Sequence, residues 1–165
     1  MRIAPGHAIL VCAALAAASC AHSKENATMS DPSQVHYIAS VPGLPSPPGY
    51  SYAAFGTGDI VFFAGQVPLD ARGEVVGRGD FAAQMRQTFA NLSRALTEAG
   101  CRPETILKVS YFVVGLDHER LLALRAARDA FFPVGVKPAS TLLGVAALFN
   151  PDILVEIEVV AVRGH

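Results

Sequence analysis

Two runs near the C-terminus decide the fold: Pro138-Ala139-Ser140-Thr141-Leu142-Leu143-Gly144-Val145 and, after an Asn150-Pro151-Asp152 break, Leu154-Val155-Glu156-Ile157-Glu158-Val159-Val160-Ala161-Val162. Both read as strands. The second is rich in β-branched residues, and alternation along a strand puts the carboxylates of Glu156 and Glu158 on one face. A carboxylate there is either a solvated edge position or an acid/base group facing a cleft.

Upstream, the chain alternates strand and helix signals. Residues 35–39 suit a first strand, with His36 pointing outward. Pro42, Pro45, Pro47 and Pro48 stiffen the loop that leads into Tyr50, Ser51 and Tyr52. Two apolar runs, residues 52–55 and 60–64, flank Gly56-Thr57-Gly58-Asp59 and predict a β-hairpin. Asp80 is placed to cap a helix in which Phe81, Met85, Phe89, Leu92 and Leu96 recur at helical spacing. Gln84, Gln87, Asn91 and Arg94 fall on its other faces, and Gly100 ends it. Residues 106–114 alternate as a strand with Lys108 and Ser110 turned away from the helices. Asp117 caps a second helix, which Pro133 closes.

This order predicts an α+β domain with a pseudo-repeated split β-α-β layout and both helices on one face of a mixed sheet. The other face is apolar enough to need a partner, which points to an oligomer.

The chain has 165 residues and a formal net charge of −1. That length suits one domain with a real core. Near-neutral charge offers no basic stripe, so nucleic acid is not the expected partner. Residues 1–21 read as a secretory signal: Arg2 at a basic start, an apolar run over 8–18, then small residues. The segment ending Ala18-Ser19-Cys20 also looks like a lipoprotein signal, with Cys20 the lipidated residue. Residues 22–34 then form a tether, residues 35–165 form the domain, and the protein is exported to the periplasm, soluble or lipid-anchored. Cys101 remains as a lone thiol, read as a surface-loop residue.

Several blocks in order resemble the RidA/YjgF family: Ala64-Gly65-Gln66-Val67-Pro68-Leu69-Asp70, the helix from Gln84 to Leu92, the strand from Val109 to Val114, Pro138-Ala139, and Val155-Glu156-Ile157-Glu158. The resemblance covers residues 35–163. It implies a chorismate-mutase-like subunit, a homotrimer with ligand clefts between neighbours, and hydrolytic deamination of reactive enamines and imines without metal or organic cofactor. Glu156 falls on the family's catalytic glutamate, and Gly65 and Gln66 on the strand end framing the cleft. Arg163 matches a basic residue near the family's C-terminus.

Two positions depart from the pattern. The family's carboxylate-binding arginine falls on Ser140, which donates one neutral hydrogen bond and cannot neutralise a carboxylate. Its pocket tyrosine falls on Ser51, with Tyr50 and Tyr52 on either side as substitutes. Lys137 is near enough in sequence to supply charge if its loop folds inward. The missing arginine points away from anionic iminoacids and toward a less charged imine or carbonyl compound. It also keeps a second reading open: a non-catalytic, metabolite-binding or interaction trimer of the cell envelope. Ribonuclease chemistry is disfavoured, since neither His118 nor His165 is placed as a general base.

Overall fold

A computed structural model describes residues 35–164. The leader, Cys20 and the tether lie outside the described residues. Six strands and two helices follow in the order β1 (Val35–Ile38), β2 (Ala53–Gly56), β3 (Asp59–Phe62), α1 (Phe81–Glu98), β4 (Ile106–Val114), α2 (His118–Phe131), β5 (Ala139–Val145) and β6 (Val155–Arg163). The main sheet has the order β3-β6-β4-β5. β6 pairs antiparallel with both neighbours, while β4 and β5 run parallel across the α2 crossover. Inserting β6 between β3 and β4 gives the expected split β-α-β arrangement, and α1 and α2 cover one sheet face.

The core follows from strand alternation. Val109, Tyr111 and Val113 of β4 and Val155, Ile157 and Val159 of β6 are buried together with Met85, Phe89 and Leu92 of α1. Helix ends form as their residues dictate. Asp80 accepts the Ala83 amide at 2.9 Å, and Asp117 accepts the Arg120 amide at 2.8 Å. At the end of α1, Gly100 at φ +69° lets its own amide reach Thr97 O and the Cys101 amide reach Leu96 O. This double closure satisfies carbonyls the helix leaves open.

Three local expectations are overturned. The predicted hairpin between residues 52–55 and 60–64 does not form: β2 pairs with β1, and β3 pairs with β6. Ser51 bridges Ala139 at the β5 edge, whereas Asp59 pairs with Arg163 at the opposite edge, so the segment between them crosses the sheet. Its turn works because Gly58 (φ +132°) lies against backbone, where an added Cβ would sit 2.2 Å from Arg163 O. The Tyr37 hydroxyl, donating toward Glu104 O and Ile106 O at 3.2 and 3.3 Å, ties the β1–β2 ribbon to the start of β4. Burial, aided by the Glu104 charge, pushes that phenol up to about 12.

Cys101 is not a surface thiol. It is 1 % exposed, with Sγ directed at the carbonyls of Ala99 and Val162. A small apolar side chain fills the corner made by the α1 closure, and burial raises the thiol's pKa, which leaves it inert.

Gln84 does not lie on an outer helix face; it is fully buried. Its amide donates to Gly77 O at 3.2 Å and Asp152 O at 2.7 Å, and its carbonyl accepts the Leu154 amide at 2.7 Å. One polar side chain thereby fixes the loop before α1 and the entry to β6. Gln84→Met keeps the shape and removes these partners, leaving backbone groups unsatisfied at a cost of about 2–3 kcal/mol. Thermal unfolding should show Tm lowered by about 5–10 °C; an unchanged Tm would mean the bonds contribute nothing net.

Candidate functional site

β6 positions Glu156 by register. Glu156 lies opposite Phe112 and Glu158 opposite Ser110, on the face turned away from the helices. On the same face Lys108 donates from Nζ to Thr141 Oγ1. Burial pulls that ammonium pKa down, while the Glu158 carboxylate raises it. Lys108 is half-buried, as expected on this face, but Ser110 is buried.

The Glu156 carboxylate rests against Gly65. A Cβ built at residue 65 would lie 1.8 Å from Glu156 Oε1. Glycine is therefore required here by close approach, not by an unusual backbone angle. The next residue, Gln66, exchanges both backbone hydrogen bonds with Ile157 at 2.7 and 2.9 Å, which holds the loop beside β6. The loop's other side is tied to α1. The Asn91 amide donates to Val67 O and Leu69 O, both at 2.8 Å, and Gln87 donates to Leu69 O at 3.2 Å. Gln87 and Asn91 are thus positioning residues for the Gly65–Gln66 segment. The signal for them was polarity on the half-buried flank of an amphipathic helix.

Ser140 lies elsewhere. It pairs with Val109, and its neighbour Leu142 with Tyr111, so both face the helices. Ser140 lines a cavity of about 260 Å³ between α2 and β5. α2 contributes Leu121, Leu124, Arg125 and Arg128; the loop before β2 closes it with Pro48 and Tyr50. Tyr111 and Leu142 come from the sheet. Tyr50 thus accompanies Ser140. Tyr52 stands edge-on to Tyr50 at 6.2 Å, with its hydroxyl engaged by Pro45 O. Ser51 is buried, its amide donating to Pro138 O at 3.2 Å.

Lys137 lines a separate hollow of about 240 Å³ whose wall includes Arg128 and Gly49, outside the Ser140 cavity. Arg163 pairs with Asp59 at 2.9 Å at the β3 edge. It lies seven positions along the strand from Glu156, roughly 23 Å.

The sequence-derived residues therefore fall into two groups on opposite sheet faces: Glu156 with Gly65 and Gln66, and Ser140 with Tyr50. Within one copy they cannot touch one small molecule. Arg125, Arg128 and Tyr111 were not singled out from sequence. Arginines on a helix normally read as its solvated face, and a tyrosine in an apolar strand reads as core.

Residues 44–163 match the family described as "Endoribonuclease L-PSP". A RutC family protein from Synechocystis is 34% identical over 119 residues, covering 72% of this chain and 89% of the relative. A 2-iminobutanoate/2-iminopropanoate deaminase from Escherichia coli is 34% identical over 109 residues, covering 64% of this chain and 81% of that enzyme. Among solved structures, the Rid-family protein YyfB from Yersinia pestis, of unknown function, superposes with a TM-score of 0.73 at 35% identity, covering 78% of this chain and 98% of that one.

The Gly65–Glu156 contact makes a direct prediction. The obstructing atom is the tip of a flexible side chain, so Gly65→Ala should fold with a Tm within a few degrees of wild type while the carboxylate rotates away. A crystal structure of the variant that retains the original Glu156 rotamer would contradict the close-approach account.

Proposed function

Because the chain belongs to the RidA/YjgF family, we propose that it hydrolyses small imines, including those formed from enamines, with Glu156 as the acid/base group. The observation that carries this reading is the carboxylate of Glu156 seated on a glycine, beside the half-buried Gly65–Gln66 segment that is bonded to β6 at Ile157. A carboxylate presented on a sheet face can act as a base toward water. The water oxygen bonds to the imine carbon as the C=N π pair moves to nitrogen, which gains a proton. The resulting carbinolamine collapses: the C–N bond breaks, the hydroxyl loses its proton, and a carbonyl compound and ammonia leave. An enamine enters the same route after protonation at carbon.

A second copy of the chain completes the cleft in this proposal. Two features support it. Ile60, Phe62 and Leu143 are exposed on the Glu156 face, Phe62 at 78 %. Leaving such a patch in water is unfavourable, and burying it against a second copy recovers roughly 1.5–3 kcal/mol per large side chain. The separation of Glu156 and Ser140 on opposite faces also requires two copies if both line one cleft. We take the assembly as a trimer, and the leader as exporting it to the periplasm with Cys20 as a lipid anchor. Fractionation of a Cys20→Ala variant tests the anchor: release from the membrane fraction is expected, and unchanged partitioning removes it.

The alternative, ligand binding without turnover, draws on Ser140 in place of the family's arginine. One experiment separates the two. Wild type should accelerate the decay of 2-iminopropanoate with ammonia release, and Glu156→Gln should lower the rate about 10²–10⁴-fold at unchanged Tm. No acceleration by the wild type leaves the binding reading.

A further inference from the structure

The cavity holding Ser140 contains more positive charge than residue 140 would lead one to expect. Arg125 and Arg128, one helical turn apart on α2, both line it. Arg128 is held in place. Its Nε and Nη2 donate to Asp129 Oδ1 at 2.9 and 2.7 Å, and the loop at Gly49 packs on the guanidinium, where an added Cβ would lie 2.4 Å from Nη2. Arg125 makes no ion pair among the described residues.

A second, independent observation points to a ligand. Tyr111 is 1 % exposed and lines the same cavity, yet its hydroxyl has no hydrogen-bond partner among the described residues. A buried phenol without an acceptor costs about 1–3 kcal/mol, so the position calls for one. Burial drives this phenol's pKa well above the usual range, and it senses the charges of Arg128 and Asp129 next to it, so it stays a proton donor at neutral pH. Leu121, Leu124 and Leu142 provide apolar wall. At about 260 Å³ the cavity is smaller than the roughly 300–1,000 Å³ typical of drug-sized ligands, and it suits a short-chain metabolite.

We propose that Arg125 and Arg128 form a carboxylate clamp that replaces the missing arginine at position 140, and that the ligand is a short-chain 2-oxo or 2-imino carboxylate. The two guanidinium groups grip the carboxylate. The Tyr111 hydroxyl donates to the oxo or imino atom beside it, and the leucines take the alkyl end. The substitution at Ser140 then moves the charge from the strand to the helix instead of abolishing it. The 2-imino form of this ligand rests on the deaminase reading above, whereas the clamp itself does not.

Calorimetric titration with pyruvate, a stable 2-oxo acid, tests the clamp. Wild type should bind pyruvate, and both Arg125→Gln and Arg128→Gln should bind at least about tenfold more weakly. Methyl pyruvate, which lacks the charge, should bind poorly to all three. Tyr111→Phe should narrow the preference for pyruvate over propanoate. Because Arg128 also supports the Gly49 loop, the deciding variant is the Arg125→Gln/Ser140→Arg double, which should regain pyruvate binding by returning a charge to the cavity. Wild-type affinity in both single variants, or no pyruvate binding by the wild type at millimolar concentration, overturns the clamp. The outcomes are separable: arginine-dependent pyruvate binding without imine hydrolysis sinks the deaminase reading and keeps the clamp. Hydrolysis of 2-iminopropanoate unaffected by Arg125→Gln does the reverse.

Discussion

Burying an unpaired carboxylate costs far more than a marginally stable domain can spare. β6 carries two of them, alternating with Val155, Ile157 and Val159, so only one register is open to it. Slipping by one residue would drive Glu156 and Glu158 into the core and turn the three buried side chains toward solvent. Because β6 sits between β3 and β4, its register fixes theirs, and through the parallel β4–β5 pairing it fixes which face Ser140 takes. The separation of the two groups of polar residues follows from this one strand.

That separation changes the chemistry within reach of each face. The helix-free face offers a carboxylate beside a close glycine, suited to moving a proton on water. The helix face offers a small cavity with apolar walls, two guanidinium groups and a phenol that has no partner among the described residues, suited to holding an anion. Neither set is sufficient for hydrolysing a charged imine. Together they supply both halves of the task, and the proposed cleft draws those halves from different copies of the chain.

Much of this was legible in the sequence, for physical reasons. Helix boundaries were clear because Asp80, Asp117, Gly100 and Pro133 act locally, through groups only a few residues away. Strand faces were clear because a two-residue period needs no tertiary information. The hairpin expectation failed because a Gly-rich turn between apolar runs specifies a change of direction and not the pairing partner; β1 competed for β2 and won. Gln84 and Cys101 were misplaced for a shared reason. Their burial depends on loops folding over them, and the loops at residues 77, 152 and 99–102 carry no periodicity. Position 140 was read from what it lacks. Arg125 and Arg128 could be joined to it only once α2 was seen to pack over β5, since eleven or more residues of chain lie between them and it.

Complementation between inactive variants tests the central claim of a shared cleft most directly. Glu156→Gln and the Arg125→Gln/Arg128→Gln double variant should each be inactive toward 2-iminopropanoate. If Glu156 of one copy serves the arginines of another, refolding the two variants together creates interfaces in which both partners are intact. The account predicts that the mixture regains hydrolysis in proportion to those mixed interfaces. Co-refolded oligomers that mix subunits fully and remain inactive at every ratio would contradict it.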